Sequence, residues 1–182
     1  MAEEIRRVQR IEGREDNRVA LVFSCPGQVE EKTGILVNGQ TGVNLEILLR
    51  MLHDSLPEIF RYTIKGDYRV TNASNIVHFA GNGNGTEPGK KEIRDPENLK
   101  RLTEDLKGYT WVFTFGAKAN EAVDLVRSDL DPGTRVMRVP HHVGMQGINR
   151  ILIDHMADPD LTNTEKRLKV VHDKILVLME KD

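Results

Sequence analysis

A chain of 182 residues, 38% apolar and 30% charged, has the length of one domain and can bury roughly 70% of its unfolded surface. Its apolar runs are only strand length and its opening, MAEEIRRVQR, is charged, so neither a transmembrane helix nor a secretory signal is expected. A single cysteine excludes an intramolecular disulfide and makes a reducing, cytoplasmic setting the expectation, while a net charge of −2 gives no overall basic surface for nucleic acid.

Residues 1–17 are polar and read as a short, loosely attached helix. Val19 to Phe23 is a buried strand, because the run VALVF is apolar throughout and contains two valines. A loop with Pro26, Gly27, Gly34, Gly39 and Gly42 follows, then a helix with Thr41 or Asn44 as N-cap and Val43, Ile47, Leu48, Met51 and Leu52 on its apolar face. Leu56-Pro57 ends that helix, and residues 57–67 look irregular. Tyr68 to Thr71 is a second strand running into Asn72. The segment FAGNGNGTEPGKK, with Gly81, Gly83, Gly85 and Gly89, is expected to be a mobile surface loop. Asp95 caps a helix that starts at Pro96 and runs to about Lys107. Thr110 to Phe115 is a central strand, Gly116 leads into an amphipathic helix, and Asp131-Pro132-Gly133 turns the chain into a fourth strand, Arg135 to Val139. After the loop PHHVGMQGIN, two helices are expected over about 148–157 and 163–180, with Ile148, Ile151, Leu152, Leu168, Val171, Ile175 and Leu176 facing inward.

Strands alternating with helices predict an α/β fold: a three-layer α/β/α sandwich around a central four-stranded, mainly parallel sheet, in one domain spanning residues 1–182. Ligands of such sheets bind beyond the carboxyl ends of the strands. Three loops lie there, after Phe23, after Thr71 and after Val139. The first also brings a glycine-rich turn to a helix N-terminus, a place suited to an anion or a polar ring. Cations gather in two stretches, Lys90, Lys91 and Arg94, and Arg135, Arg138, His141, His142 and Arg150.

Within the first loop the order of residues is informative. Pro26, Gly27, Glu30, Glu31, Gly34, Gly39 and Gly42 fall without a gap on the pattern G-E-x-P-G-x-x-E-D-x-x-G-x-P-F-V-G-x-x-G. That pattern is the first motif of the bacterial branch of the uracil-DNA glycosylase superfamily, which the chain resembles over roughly residues 19–155. The resemblance implies base flipping and hydrolysis of an N-glycosidic bond in uracil or a modified pyrimidine. It also implies a single- or double-stranded DNA partner, a monomer and no cofactor. One cysteine rules out the four-cysteine iron–sulfur cluster of that branch, so the likeness extends to the fold and its pocket and not to the cluster.

By the same resemblance, Asn72 reads the edge of the flipped base, since one amide both donates and accepts. Asn75 is its neighbouring competitor. His142 falls on the motif histidine, with Val143 and Gly144 for the following proline and serine, and His141 takes that place if the register slips by one. The histidine would donate to the departing base, and Met145 and Gln146 would occupy the position of the wedge that enters the duplex. Ser24, Cys25, Gln28, Val37 and Gly39 complete the expected base pocket with Pro26 and Gly27. Three positions depart from the family pattern. Ser24 replaces glutamate, Cys25 replaces the aspartate or asparagine of other branches, and Val37 replaces the stacking aromatic ring. Glu30 or Glu31 is then the candidate water activator, with Glu31 preferred. The departures equally fit a pocket that binds a base or nucleotide without cleaving it. A histidine-pair metal site has no third ligand at a telling spacing, and a phosphate-cradling hydrolase lacks G-x-x-x-x-G-K-[ST].

Overall fold

Five consecutive apolar residues form β1 (Val19–Phe23), and all five are buried. A strand of this kind needs cover on both faces, and the computed structural model, which describes residues 6–140 and 143–181, supplies it. Chain order continues through α1 (Gln28–Thr33), α2 (Gly39–Ser55), β2 (Arg69–Asn72), α3 (Lys90–Ile93), α4 (Pro96–Leu106) and β3 (Trp111–Phe115). Then come α5 (Ala117–Val126), β4 (Arg135–Val139), α6 (Met145–Ile148) and α7 (Asn163–Met179). The four strands form one all-parallel sheet in the order β2-β1-β3-β4.

Alternate residues of β1 serve opposite layers, as the two-residue period of a strand requires. Val19, Leu21 and Phe23 join Leu45, Leu48, Leu49 and Leu52 of α2 and Leu168, Val171 and Ile175 of α7. Ala20 and Val22 join Leu102 and Leu106 of α4 and Ala119, Ala122, Val123 and Val126 of α5. The result is the expected three-layer α/β/α sandwich. Helix starts follow local chemistry: Asp95 accepts from the backbone of Glu97 and Asn98 ahead of Pro96, and Thr162 forms a reciprocal capping box with Glu165. No helix among the described residues is long and apolar enough to cross a membrane.

Four expectations are corrected. No helix precedes β1 in the described residues. Instead the segment from Arg6 lies antiparallel to the outer edge of β2, with Ile11 and Val70 exchanging backbone hydrogen bonds of 2.9 and 3.1 Å. It buries Val8 and covers an edge whose amides would otherwise be unpaired. Within the first loop, residues 28–33 form the extra helix α1. Next, α2 begins at Gly39 with Asn38 as N-cap, ahead of Thr41 and Asn44. Its inner face is Leu45, Leu48, Leu49 and Leu52, while Val43, about 200° around the helix from Leu45, is 52% exposed. Finally, residues 149–157 are irregular. The carbonyls of Ile151 and His155 accept from the side chains of Arg167 and Lys166 on α7, not from helical amides, and Leu152 stands 94% exposed.

The loop expected to be mobile has definite anchors. Asn82 and Asn84 both donate their side-chain amides to the carbonyl of Val77, at 2.7 and 3.2 Å.

Candidate functional site

Parallel register sets the site. Phe23 and Asn72 are paired residues at the ends of β1 and β2, so the first and second loops start side by side. The pairing continues past the strands, with Ala73 N–H donating to Phe23 O at 2.8 Å and Ser74 N–H to Ser24 O at 3.1 Å. Phe115, ending β3, stacks on Phe23 with ring centroids 4.8 Å apart.

Between these loops is a cavity of about 200 Å³. Phe23, Ser24, Cys25, Pro26 and Gly27 line it from the first loop, Glu30 from α1, Val37 and Thr41 from the entry to α2, and Asn72 from β2. Of the residues expected from sequence, Ser24, Cys25, Pro26, Gly27, Val37 and Asn72 are therefore brought together. Asn72 is 3% exposed, yet its Oδ1 has no hydrogen-bond partner. An orphaned buried acceptor is costly, on the order of 1–3 kcal/mol, and a polar ligand in the cavity would satisfy it.

Glu30 holds the first loop in shape. Its Oε2 accepts from Gly27 N–H and its Oε1 from Asn38 N–H, both at 3.0 Å. Glu31 faces elsewhere: it pairs with Arg6 at 3.0 Å and does not line the cavity. Gln28 is exposed on α1, and Gly39 is exposed where α2 begins, so neither lines the cavity. Asn75 lines a separate, larger cleft. Val37 is buried with φ +50°, a left-handed conformation that a β-branched residue rarely adopts. Its carbonyl comes so close to α2 that a Cβ on Gly42 would sit 2.2 Å from the oxygen, which explains glycine there.

Cys25 is mostly buried, and desolvation pushes its thiol up to about 11. The Ser24 hydroxyl opposes that shift, while the carboxylates of Glu87, Glu92 and Glu30 add to it. The thiol is therefore a neutral, weak donor near pH 7.

Third-loop geometry is partly described. His141 and His142 lie outside the described residues. Val143 is buried, Gly144 is half-buried, and Met145 and Gln146 open α6. Asn44, read from sequence only as a possible cap, is fully buried and donates to Val143 O at 2.9 Å, tying α2 to this loop. A second residue missed from sequence is His78, 5% exposed. Its backbone N–H donates to Pro26 O at 2.8 Å, and its ring reaches Asn84 O and Glu92 Oε1, both at 2.9 Å. In sequence each is a polar residue set in an apolar run, VNLEIL for Asn44 and IVHFA for His78, and that was the available signal.

The separate cleft of about 570 Å³ beside β2 holds Arg101, Asp95 and Glu92. Their groups are already engaged: Arg101 with Asp105, Asp95 as a helix cap, Glu92 with His78. The smaller cavity, with the orphaned acceptor of Asn72, is the better candidate. Among the described residues, each cationic stretch has one member in an ion pair, Arg94 with Glu121 and Arg138 with Asp124. Among the described residues no group of three His, Cys, Asp or Glu side chains is placed to hold a metal ion. Compared with known proteins, no family model and no curated sequence matches the chain.

Proposed function

We propose that the chain is a monomeric, cytoplasmic DNA glycosylase that flips a base into the cavity beside Asn72 and hydrolyses its N-glycosidic bond. The observation carrying this reading is Asn72: an asparagine ending β2, buried, with an unpaired amide oxygen lining a cavity sized for one heteroaromatic ring. An asparagine amide offers a donor and an acceptor to the edge of a base, and the proline–glycine loop opposite supplies the wall. Bond cleavage places positive charge on the sugar, which a carboxylate beside the base would stabilise; Glu30 lines the cavity and is the candidate for that role. The histidine of the third loop, His142 or His141, would serve the leaving base as donor.

Oligonucleotides carrying uracil, hydroxymethyluracil or modified cytosines, incubated with the protein and treated with alkali, test the reading. Strand scission at one of these bases is the expected result. Asn72→Ala should reduce it by at least a hundredfold, as loss of about 3 kcal/mol of recognition implies. Unchanged scission in Asn72→Ala would sink the assignment of that residue.

A second reading is a base-binding module without catalysis. It is favoured by Glu30, whose two oxygens both hold backbone amides, and by Ser24 and Cys25, neither of which can act as an acidic water activator. Measurable binding without abasic sites for any base would select it.

A further inference from the structure

The cavity beside Asn72 is rich in acceptors and negative field. Asn72 Oδ1 is buried and unpartnered. Glu30 is the one charged side chain lining the cavity among the described residues. Glu87 and Glu92 do not line it, and Glu92 is paired with His78, but both add to the negative field felt by Cys25 in its wall. Such a field repels phosphate and any ligand that gains negative charge. It favours a ring that carries positive charge and presents N–H donors.

Leaving-group chemistry turns this into a substrate preference. A neutral base departs with the electron pair of the broken bond and becomes anionic, which a nearby carboxylate opposes. A cationic base departs neutral, which the carboxylate does not oppose. We infer, resting on the glycosylase reading above, that the preferred substrate is a positively charged N-alkylated base in DNA, held by Asn72 Oδ1 and the Glu30 carboxylate. In the reaction the C1′–N bond breaks and its electron pair passes to the base nitrogen, cancelling the ring's charge. Water oxygen bonds to C1′, and the proton it loses goes to solvent. The products are an abasic site, the neutral base and a proton.

The test compares abasic-site formation in two oligonucleotides of identical sequence, one with N3-methylcytosine and one with uracil. Wild-type protein should release N3-methylcytosine at least tenfold faster. Glu30→Gln, which keeps one acceptor for the loop amides, should shrink that ratio severalfold. Glu87→Gln, on an exposed residue, should shrink it less, and it checks the field without disturbing the loop brace. Uracil released as fast as N3-methylcytosine by the wild type would overturn this inference and leave the glycosylase reading standing. A ratio unchanged in both variants would overturn the assignment to the carboxylates. No release of either base, nor of any base in the wider panel, would overturn the glycosylase reading and this inference with it.

Discussion

Cys25 illustrates how environment decides what a side chain can do. Its thiol lies in the wall of the cavity, and burial foremost, with the nearby carboxylates, pushes it from an ordinary value near 9 to about 11. The neutral form is the one favoured on folding, so Cys25 is no nucleophile at neutral pH. Two consequences can be measured. Iodoacetamide should alkylate the folded protein far more slowly than the urea-unfolded chain at about pH 8, and the gap should close only toward about pH 11. Stability should also decline as pH rises from about 9 to about 11, because the unfolded chain gives up a thiol proton that the folded chain retains. Equal alkylation rates for folded and unfolded protein at about pH 8 would contradict this placement of the thiol. Val37 and Gly42 carry a related lesson. A strained valine and a glycine with no room for a Cβ shape the entry to α2.

At the scale of elements, the end of β2 is held by a buried ionic network. Asp105 on α4 is 1% exposed and accepts from Thr71 Oγ1 at 2.7 Å, Arg101 Nη1 at 2.7 Å and Arg10 Nη1 at 2.8 Å. Arg101 in turn donates through Nη2 to Asn72 O at 2.8 Å. Burial lowers the pKa of Arg101, and Asp105 opposes that shift. The N-terminal segment, β2 and α4 are thus joined at the residue proposed to read the base. Replacing the buried Asp105 by Ala leaves the half-buried Arg101 guanidinium without its carboxylate, and should cost about 3–5 kcal/mol in urea unfolding. A loss below about 1 kcal/mol would show that the network adds little. On the other side of Asn72, His78 links the proline–glycine loop, the glycine-rich loop and α3 through Pro26, Asn84 and Glu92. That bond set ties the start of the glycine-rich segment to the site.

For the molecule as a whole, one all-parallel sheet with helices on both faces places every strand's carboxyl end along one edge. A ligand there meets loops from several strands at once, which is how a small fold assembles a pocket from distant sequence. As the proposed monomer, the chain should have a radius of gyration of about 16 Å in small-angle scattering. A value near 21 Å, that of a compact dimer, would refute the monomer.

Short-range chemistry was legible directly. The apolar run of β1, Asp95 with Pro96, the turn at Asp131-Pro132-Gly133 and the span of β4 each depend on neighbouring residues, and the sheet's parallel character follows from their alternation with helices. The proline–glycine loop and Asn72 were legible as chemistry too, and the register of β1 with β2 set them face to face. Tertiary structure alone decided the rest. Polar residues 6–17 became an edge cover because β2 offered unpaired backbone, a fact invisible in their own composition. Residues 149–157 are irregular, with the carbonyls of Ile151 and His155 held by side chains of α7. Glu30 and Glu31, adjacent and chemically alike, were separated by helical geometry, one toward the cavity and one toward Arg6. Successive residues on a helix point about 100° apart, so sequence can nominate a carboxylate but only packing selects which one faces the ligand.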